Sequence, residues 1–271
     1  MKPLTHKYWN QICSKILCNT EIVSVDEYLS KNSEIPRVII KHDVEYDIDM
    51  AVAIGEIESK IGISSTFYFQ FDVAFSSPDK VMYLKSLGHD IGYHYDVLDE
   101  NNGDFDKALS QFRDHLESFS KIGIEIKSVC PHGNPIKSRL GWSSNKDFFR
   151  NNDIRVKFPN IVDVVVDAKK IFPENFLYVS DAGYSFKVIG DVTINDRIKV
   201  EDNVISLPYD LPLGEKTILI STHPHRWFNS VVRSTLKKST FLIARRLGKS
   251  LNRIKILKPL FNSLYHIARR F

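Results

Sequence analysis

Histidine and acidic side chains follow several short apolar segments of this sequence, at the points where such segments would end as strands. Asp43 and Glu45 come shortly after the apolar run 38–40, and the other groups are His94 with Asp96, His132, Asp181 and His223. In parallel α/β folds the carboxyl ends of the strands meet at one edge, so these side chains are expected to lie together. Imidazole and carboxylate groups are common ligands of divalent metals. The pattern therefore predicts a metal-binding or acid–base site at that edge.

The elements that would position these residues alternate along residues 1–230. Short β-branched or aromatic runs predict strands at 37–42, 65–70, 90–94, 126–130, 162–166, 176–179, 204–207 and 217–221. Helical patterns lie at 7–17, 48–60, 79–87 and 105–122, the first within an N-terminal helical region 5–18 that Thr5 caps. Such alternation favours parallel strands joined by crossover helices. We predict an α/β fold, a distorted (β/α) barrel of about seven strands.

Composition excludes several other classes of protein. The chain has 271 residues, of which 43% are hydrophobic and 26% charged, and these values are those of a globular protein rather than a disordered or fibrous one. Cys13, Cys18 and Cys130 form no C-x-x-C pair, so neither a disulfide framework nor a cysteine zinc site is predicted. Without an apolar export signal or spanning segment in view, we expect a cytoplasmic protein.

Positive charge is concentrated at the C-terminus. Residues 231–271 contain eleven Lys or Arg residues and no Asp or Glu. The whole chain carries +4 and this segment +11, which leaves a net charge of −7 on residues 1–230. We therefore predict two parts, a catalytic barrel (1–230) and a basic arm (231–271) that seeks an anionic partner.

The arm has the pattern of an amphipathic helix. Leu247, Leu251, Ile254 and Leu257 recur at three- and four-residue steps between the cations, and Pro259 should break or kink the helix. Two interpretations stay open: the stripe docks on the barrel or a sister subunit, or it lies on the anionic surface of a membrane. Nucleic acid is not expected, because the aromatic residues fall on the apolar stripe rather than among the cations.

Motifs of the barrel resemble, in order, those of the polysaccharide deacetylases of carbohydrate esterase family four, the NodB-homology fold. The similarity is to a divergent branch found in bacterial surface-polysaccharide gene clusters, which has H-D-V-D where residues 42–45 read H-D-V-E. The most specific segment is G-H-D-I-G-Y-H at 88–94. The remaining similar segments are 65–69, 131–133 and 218–224, so that the resemblance spans residues 38–227.

This resemblance implies a barrel that binds one divalent metal ion, zinc first and cobalt, nickel or manganese as alternatives. The metal would polarise an N-acyl carbonyl and activate water. Residue by residue, it implies Asp43 as general base, Glu45 and His94 as metal ligands, and His223 as general acid with Asp181 to orient it.

Three positions depart from the family pattern. Leu98 stands where the family has its second metal histidine, so we expect the third ligand to be His132 or, as a second choice, Asp96. Val129 stands where an arginine normally engages the base, and Asp43 is therefore expected to be less well held. The segment after Asp181 also lacks the tryptophan of the family.

The expected function is a metal-dependent hydrolase that removes an acyl group, first of all N-acetyl, from a sugar during biosynthesis of a bacterial surface glycan of O-antigen or capsule type. Its expected substrate is an N-acylated sugar or lipid-linked glycan. Trp142 and Trp227 are candidates for stacking on sugar rings or for core packing. The alternative is a catalytically degenerate barrel that binds a glycan or a partner protein, as the departures at Leu98 and Val129 suggest.

Overall fold

The structure is a computed structural model that describes residues 2–31, 35–134, 137–174, 176–189, 200–204 and 208–251. Its strands are β1 (Ile22–Val23), β2 (Val38–Val44), β3 (Thr66–Phe69), β4 (Asp90–Tyr95), β5 (Ser128–Pro131), β6 (Val162–Asp163), β7 (Leu177–Ser180), β8 (Lys187–Ile189), β9 (Val200–Val204) and β10 (Ile218–Thr222). Its helices are α1 (His6–Leu17), α2 (Val25–Ser30), α3 (Ile48–Lys60), α4 (Phe71–Ser76), α5 (Pro78–Ser86), α6 (Val97–Glu100), α7 (Phe105–Lys121), α8 (Lys146–Arg150), α9 (Asn152–Arg155), α10 (Ala168–Ile171) and α11 (Val231–Leu251).

These strands form one curled, open sheet in the order β6-β5-β4-β3-β2-β10-β7-β8-β9, with β1 also paired to β2. Every pair from β6 to β7 is parallel, whereas β8 and β9 are antiparallel. Seven successive parallel strands confirm the predicted distorted barrel of about seven strands. Their carboxyl ends share one edge, as a site built from strand ends requires.

Most predicted elements lie within two residues of their observed bounds, and the differences have local causes. The N-terminal helix begins at His6 because Thr5 caps it, accepting a hydrogen bond from the Tyr8 amide at 3.2 Å. The strand predicted at 162–166 stops after Asp163. The Asp163 carboxylate accepts hydrogen bonds from the backbone amides of Val165 and Val166, at 2.9 and 2.8 Å, and these bonds turn the chain. Of the strand predicted at 204–207, residues 205–207 lie outside the described residues.

The sheet separates two cores because side chains alternate along each strand. Between the sheet and the surrounding helices lies the larger core, to which β2 contributes Ile40. Inside the barrel lies a smaller core that includes Ile39, Tyr68, Cys130 and Leu219. Residues 41 and 43 share the face of Ile39 and therefore point into the barrel.

Two glycines of the 88–94 segment are required for different structural reasons. Gly88 has φ of +94° in the turn that follows α5, a conformation that other residues adopt only with strain. A Cβ atom at Gly92 would lie 2.4 Å from the Tyr68 ring, which packs inside the barrel. Gly92 therefore makes room for an interior aromatic side chain.

Helix α11 spans the described part of the predicted arm, up to Leu251. It packs on the barrel through Ser234, which is buried, and through the Phe241 ring, whose centroid lies 5.3 Å from that of Tyr184. The predicted stripe beyond Leu251 and the kink at Pro259 lie outside the described residues. No helix among those described combines the length and the apolar character needed to cross a bilayer.

Candidate metal centre

Three polar side chains at the end of β2 reach the mouth of the barrel. Lys41 and Asp43 occupy alternate positions of the strand and face its interior, and Glu45 follows directly after it. All three residues are buried. The two acids and the lysine therefore lie at the carboxyl edge of the sheet.

Three histidines converge on one oxygen of Glu45. The Glu45 Oε1 atom lies 3.7 Å from His132 Nε2, 3.9 Å from His94 Nε2 and 3.9 Å from His223 Nε2. Their strands β4, β5 and β10 lie up to four positions apart in the sheet, so only closure of the sheet toward a barrel brings them together. Four side chains from four strand ends therefore meet at one point.

His94 is held in an orientation that suits a metal ligand. Its Nδ1 atom donates a hydrogen bond to the Cys130 carbonyl at 3.0 Å. The other ring nitrogen, Nε2, is then unprotonated and has a lone pair available for a metal. This Nε2 atom is buried and has no hydrogen-bond partner. Since buried polar atoms are rarely left without a partner, the unpartnered Nε2 marks a position where a ligand fits.

The donor set fits a divalent metal. Glu45, His94 and His132 each offer one ligand atom, and these atoms lie within 4.8 Å of one another. Around a tetrahedral zinc ion, ligand atoms at about 2.1 Å from the metal would be about 3.4 Å apart, and the observed 3.7 and 3.9 Å require only small side-chain movements. Two imidazoles and a carboxylate would leave a coordination position open.

Between the two predicted choices for a third ligand, the geometry separates His132 from Asp96. The Asp96 carboxylate accepts a hydrogen bond from His132 Nδ1 at 2.8 Å, and it also accepts one from the Asn145 amide at 2.5 Å. Asp96 thus orients the imidazole that reaches Glu45. Such carboxylate–histidine pairs are common behind metal ligands because they fix the ring and its tautomer.

A second group, Asp43, His94 and Cys130, also meets the distance criterion for a metal site. It shares His94 with the first group. Burial raises the pKa of the Cys130 thiol well above its usual value, so the thiolate that a metal requires is disfavoured. The Glu45 group is therefore the better site.

Lys41 supplies the cation that the sequence was expected to lack at Asp43. Its Nζ atom donates to both Asp43 oxygens, at 2.6 and 2.7 Å, and its side chain is fully buried. Ser221 Oγ donates to the same carboxylate at 3.1 Å. The expectation drawn from Val129, that Asp43 would be less well held, was wrong because a lysine two residues earlier on the same strand face takes that role.

Electrostatics keep the two acids of β2 ionised. Burial alone would raise the pKa of Asp43, but Lys41, His94 and His223 outweigh it and hold that pKa well below its usual value. Burial opposes ionisation of Glu45 in the same way, and the neighbouring histidines, His94 first, hold its pKa well below the ordinary range. Both groups are therefore carboxylates at neutral pH.

His223, which is partly buried, pairs with the fully buried Asp181. His223 Nδ1 donates to Asp181 Oδ1 at 2.6 Å, and the His223 amide donates to Oδ2 at 3.1 Å. Arg226 and the indole Nε1 of Trp227 also donate to this carboxylate, at 3.1 and 2.9 Å. Burial would raise the pKa of Asp181, yet His223 and Arg226 outweigh it and lower that pKa.

A tryptophan does lie beside Asp181, but it comes from position 227 rather than from the segment after Asp181. It comes from the segment beyond β10 and is fully buried, so its ring packs in the core and is not exposed to stack on a sugar.

Trp142 is half-buried, and its indole donates to Asp99 at 2.7 Å. Leu98 is buried in the core between the sheet and the helices. Leu98 therefore does not belong to the group around Glu45, where His132 lies instead.

His42 points away from the site and anchors its strand from behind. His42 Nε2 donates to Glu58 at 2.9 Å, and Nδ1 lies 2.6 Å from the Thr222 hydroxyl. Glu58 also accepts hydrogen bonds from Trp9 at 2.9 Å and from Ser65 at 2.6 Å. This buried network ties β2 and β10 to α1 and α3, and it fixes the strand ends that carry Asp43 and His223.

Comparison with known proteins gives no match to a family model and none to a curated protein. Solved structures do match. A family 4 carbohydrate esterase from Streptomyces lividans in complex with acetate is 12% identical, with a TM-score of 0.43 over 77% of this chain and 88% of that chain. The peptidoglycan deacetylase PdaC from Bacillus subtilis is 12% identical, with a TM-score of 0.37 over 79% of this chain and 98% of that chain.

A family 4 pseudoenzyme from Bacillus anthracis is 14% identical, with a TM-score of 0.41 over 77% of this chain and 60% of that chain. The matched structures come from the family that the sequence motifs resemble. All three TM-scores are below 0.5.

Proposed function

We propose that this protein is a metal-dependent hydrolase that removes an acyl group, N-acetyl first of all, from an amino sugar. The convergence of three imidazole Nε2 atoms on one Glu45 oxygen, within 3.9 Å, supports this proposal most directly. A buried carboxylate base and a histidine–aspartate pair flank the same point. A base for the attacking water and an acid for the leaving nitrogen are the groups that metal-assisted amide hydrolysis uses.

In the proposed reaction, Glu45, His94 and His132 would hold the ion, and the ion would supply polarisation of the amide carbonyl and acidification of a water. Asp43 accepts the proton of the attacking water, and Lys41 and Ser221 hold its carboxylate in place. His223 donates a proton to the leaving nitrogen as the C–N bond breaks, giving a free amine and a carboxylic acid. Asp181 accepts the hydrogen bond from His223 Nδ1 and thereby points the Nε2 atom toward the reacting amide.

The metal is proposed to be zinc, because two imidazoles and one carboxylate are a donor set typical of catalytic zinc. Cobalt, nickel and manganese are the alternatives. We further propose that the substrate is an N-acylated sugar or lipid-linked glycan that is assembled into a bacterial surface polysaccharide. The support for this context is the resemblance of residues 42–45 to the branch found in such gene clusters.

The test uses the purified full chain with N-acetylated amino sugars, free and lipid-linked. We expect one zinc ion per chain, release of acetate, loss of release with a chelator and recovery with zinc. Asp43→Asn should abolish release while Asp153→Asn, the same substitution at an exposed residue, should not. A chain that binds no divalent metal stoichiometrically, with His94→Ala unchanged in every property, would overturn the proposal.

A second candidate function is a barrel that binds a glycan without turning it over. The buried leucine at position 98, in place of a metal histidine, favours it. Glycan binding that persists without zinc, together with absence of acetate release from every zinc-loaded sample, would support this candidate. Chelator-sensitive release would exclude it.

We also propose that α11 brings the protein to an anionic membrane surface as a peripheral protein of the cytoplasmic face. Val232, Leu236 and Ile243 lie on one side of the helix, and they are 68%, 60% and 57% exposed. Arg233 and Lys237 flank this apolar side within a segment that has eleven cations and no acids. Apolar insertion and attraction of about 1 kcal/mol per basic residue would act together.

Sedimentation with vesicles tests this docking. The full chain should bind vesicles that contain phosphatidylglycerol and not vesicles of phosphatidylcholine alone. Leu236→Glu with Ile243→Glu should release it, whereas Leu140→Glu with Val156→Glu, at residues that are 89% and 73% exposed elsewhere, should not. A wild-type chain that stays in the supernatant, or that forms dimers through α11 instead, would contradict the membrane proposal.

A further inference from the structure

His132 lies just beyond the end of β5, where backbone pairing in the sheet stops. The strand ends at Pro131, and the His132 amide makes one last hydrogen bond to the Tyr95 carbonyl at 2.8 Å. The His132 carbonyl and imidazole lie beyond this pairing. Contacts outside the sheet must therefore hold the ring toward Glu45, whose Oε1 atom is 3.7 Å from His132 Nε2.

A buried asparagine, Asn145, holds His132 at two points. Asn145 is fully buried, and its Nδ2 atom donates hydrogen bonds to the His132 carbonyl at 2.9 Å and to Asp96 Oδ1 at 2.5 Å. The other Asp96 oxygen accepts the bond from His132 Nδ1 at 2.8 Å. One side-chain amide therefore fixes the main chain of His132 directly and its ring through Asp96.

The contacts of Asn145 also determine which way its amide points. Its Oδ1 atom accepts a hydrogen bond from the Asp99 backbone amide at 2.9 Å. A backbone amide only donates and a backbone carbonyl only accepts, so the two ends of the side chain cannot be exchanged. The position needs one acceptor and two donor hydrogens in a short planar side chain, and asparagine is the residue type that has them.

Asn145 does not serve the helix that follows it. It occupies the N-cap position of α8, where an asparagine side chain usually accepts a hydrogen bond from the first turn. The Asn145 side chain makes no such bond. It bonds instead to residues that follow β4 and β5, which indicates a role at the metal centre rather than in α8.

Asp99 on α6 holds the segment that carries Asn145. Its buried carboxylate accepts two hydrogen bonds from the Arg139 guanidinium, at 2.7 and 2.6 Å, and one from the Trp142 indole at 2.7 Å. The Asn145 amide lies 3.2 Å from the same carboxylate. Leu98, at the position of the family's second metal histidine, comes immediately before Asp99. Where the family places a ligand, this chain therefore places a helix that holds the segment behind His132.

We propose that Asn145 is a positioning residue of the metal centre, which raises metal affinity by holding the His132 imidazole toward Glu45 through Asp96 and the His132 carbonyl. This inference rests on the proposed function. A ligand that is already oriented loses less entropy when the metal binds. Without Asn145 the ring samples other orientations, and the metal affinity falls in proportion to the fraction of chains whose ring still faces Glu45.

The experiment measures the zinc affinity of the full chain by competition with a fluorescent chelator. Asn145→Ala should weaken zinc binding about tenfold, as loss of a group behind a metal ligand commonly does. Asn152→Ala, the same substitution at an exposed residue of α9, should leave the affinity unchanged. Unchanged affinity in Asn145→Ala, or an equal loss in Asn152→Ala, would overturn the inference.

A destabilised variant controls for general loss of structure. Ile16→Ala removes a fully buried side chain from α1, so it should lower the stability to denaturant without changing zinc affinity. Asn145→Ser, whose single hydroxyl cannot donate to both acceptors, replaces the alanine variant if that chain does not fold, and it should also weaken zinc binding. A loss of affinity in Ile16→Ala as large as that in the Asn145 variant would contradict a specific role at the metal centre.

A double-variant cycle tests whether Asn145 acts through Asp96. The double variant Asn145→Ala with Asp96→Asn should bind zinc more tightly than the product of the two single losses predicts, because both changes break the same ring of hydrogen bonds. Losses that simply multiply would mean that the two residues act separately, and would refute this route.

Cobalt gives a spectroscopic readout that a merely structural role would not change. With cobalt saturating the site, the visible absorption of Asn145→Ala should be weaker than that of the wild type, since water replaces His132 in part of the molecules and changes the coordination geometry. Ile16→Ala should keep the wild-type spectrum. Identical spectra for the wild type and Asn145→Ala would contradict the positioning of His132 by Asn145.

Acetate release, measured on the same samples, separates this inference from the proposed function. A wild type that binds zinc and releases acetate, with an Asn145→Ala chain of equal zinc affinity, would refute only the positioning role. A wild type that binds zinc but releases no acetate, with the expected loss of affinity in Asn145→Ala, would refute the hydrolase and keep the role of Asn145.

Discussion

Replacement of Lys41 by methionine should destabilise the protein and change how its activity depends on pH. Methionine keeps most of the volume of the lysine stem but leaves the Asp43 carboxylate, which is 6% exposed, without its two ammonium hydrogen bonds. Breaking a buried ion pair by removal of one partner costs about 3–5 kcal/mol, because the remaining charge stays desolvated. The free energy of unfolding, measured with denaturant at pH 7, should fall by about that amount.

Lys80→Met provides the matched control. Lys80 forms an ion pair with Asp49 at 2.5 Å, but the two side chains are 42% and 70% exposed. Exposed pairs contribute about 1 kcal/mol or less, so this variant should lose little stability. The double variant Lys41→Met with Asp43→Asn should regain most of the lost stability, since no unpaired buried charge remains, and should stay inactive.

The pH dependence follows from the direction of the shift. In the wild type the folded-state pKa of Asp43 lies below its unfolded value of about 4, so this group contributes stability above pH 4 that is lost as pH falls through its folded-state pKa. In Lys41→Met only the histidines oppose the effect of burial on Asp43, so the pKa of Asp43 rises. The destabilisation of Lys41→Met should therefore be largest at neutral pH and shrink in acid, and the acid limb of the activity profile should move to higher pH. Equal stability losses for Lys41→Met and Lys80→Met would refute this reasoning.

Further variants test other parts of the site. Asp96→Asn should weaken zinc binding about 10–100-fold and His94→Ala should weaken it more, as measured by competition with a fluorescent chelator; unchanged affinities would remove both residues from the metal centre. Trp227→Phe should cost about 1–2 kcal/mol of stability and slow acetate release, since Asp181 loses a hydrogen bond; normal activity would contradict its role behind His223. The pKa of His115, lowered to about 4, predicts that unfolding free energy falls by about 2 kcal/mol from pH 7 to pH 5 through proton uptake by the unfolded chain; His115→Gln should lose less over this range, and an identical loss would exclude the effect.

Local patterns were sufficient to predict most of the barrel. Helices α1, α3, α5 and α7 and the parallel strands that carry the site were read from apolar periodicity and strand-end polar residues, because those signals depend on neighbours in sequence. The short elements were harder to predict. The early end of β6 depends on two hydrogen bonds to Asp163, and the antiparallel β8 and β9 have no strong periodic signal.

The role of Lys41 was missed although its signal was present. A charged residue inside an apolar strand, two positions before an acid, shares a face with that acid because side chains alternate. The family pattern has its cation at the position of Val129, on another strand. Strand alternation would have placed Lys41 beside Asp43 without any structure.

By itself, the sequence determined which residue types lie at the strand ends and therefore what chemistry the barrel mouth can offer. It left open whether His132 or Asp96 faces Glu45 and what replaces the tryptophan after Asp181. Those answers depend on contacts between residues 36 to 46 positions apart, which local periodicity does not encode. Only the curvature of the sheet and the pairing of β10 with β7 bring such residues within hydrogen-bonding distance, since side chains at separate strand ends meet only when the sheet closes around them.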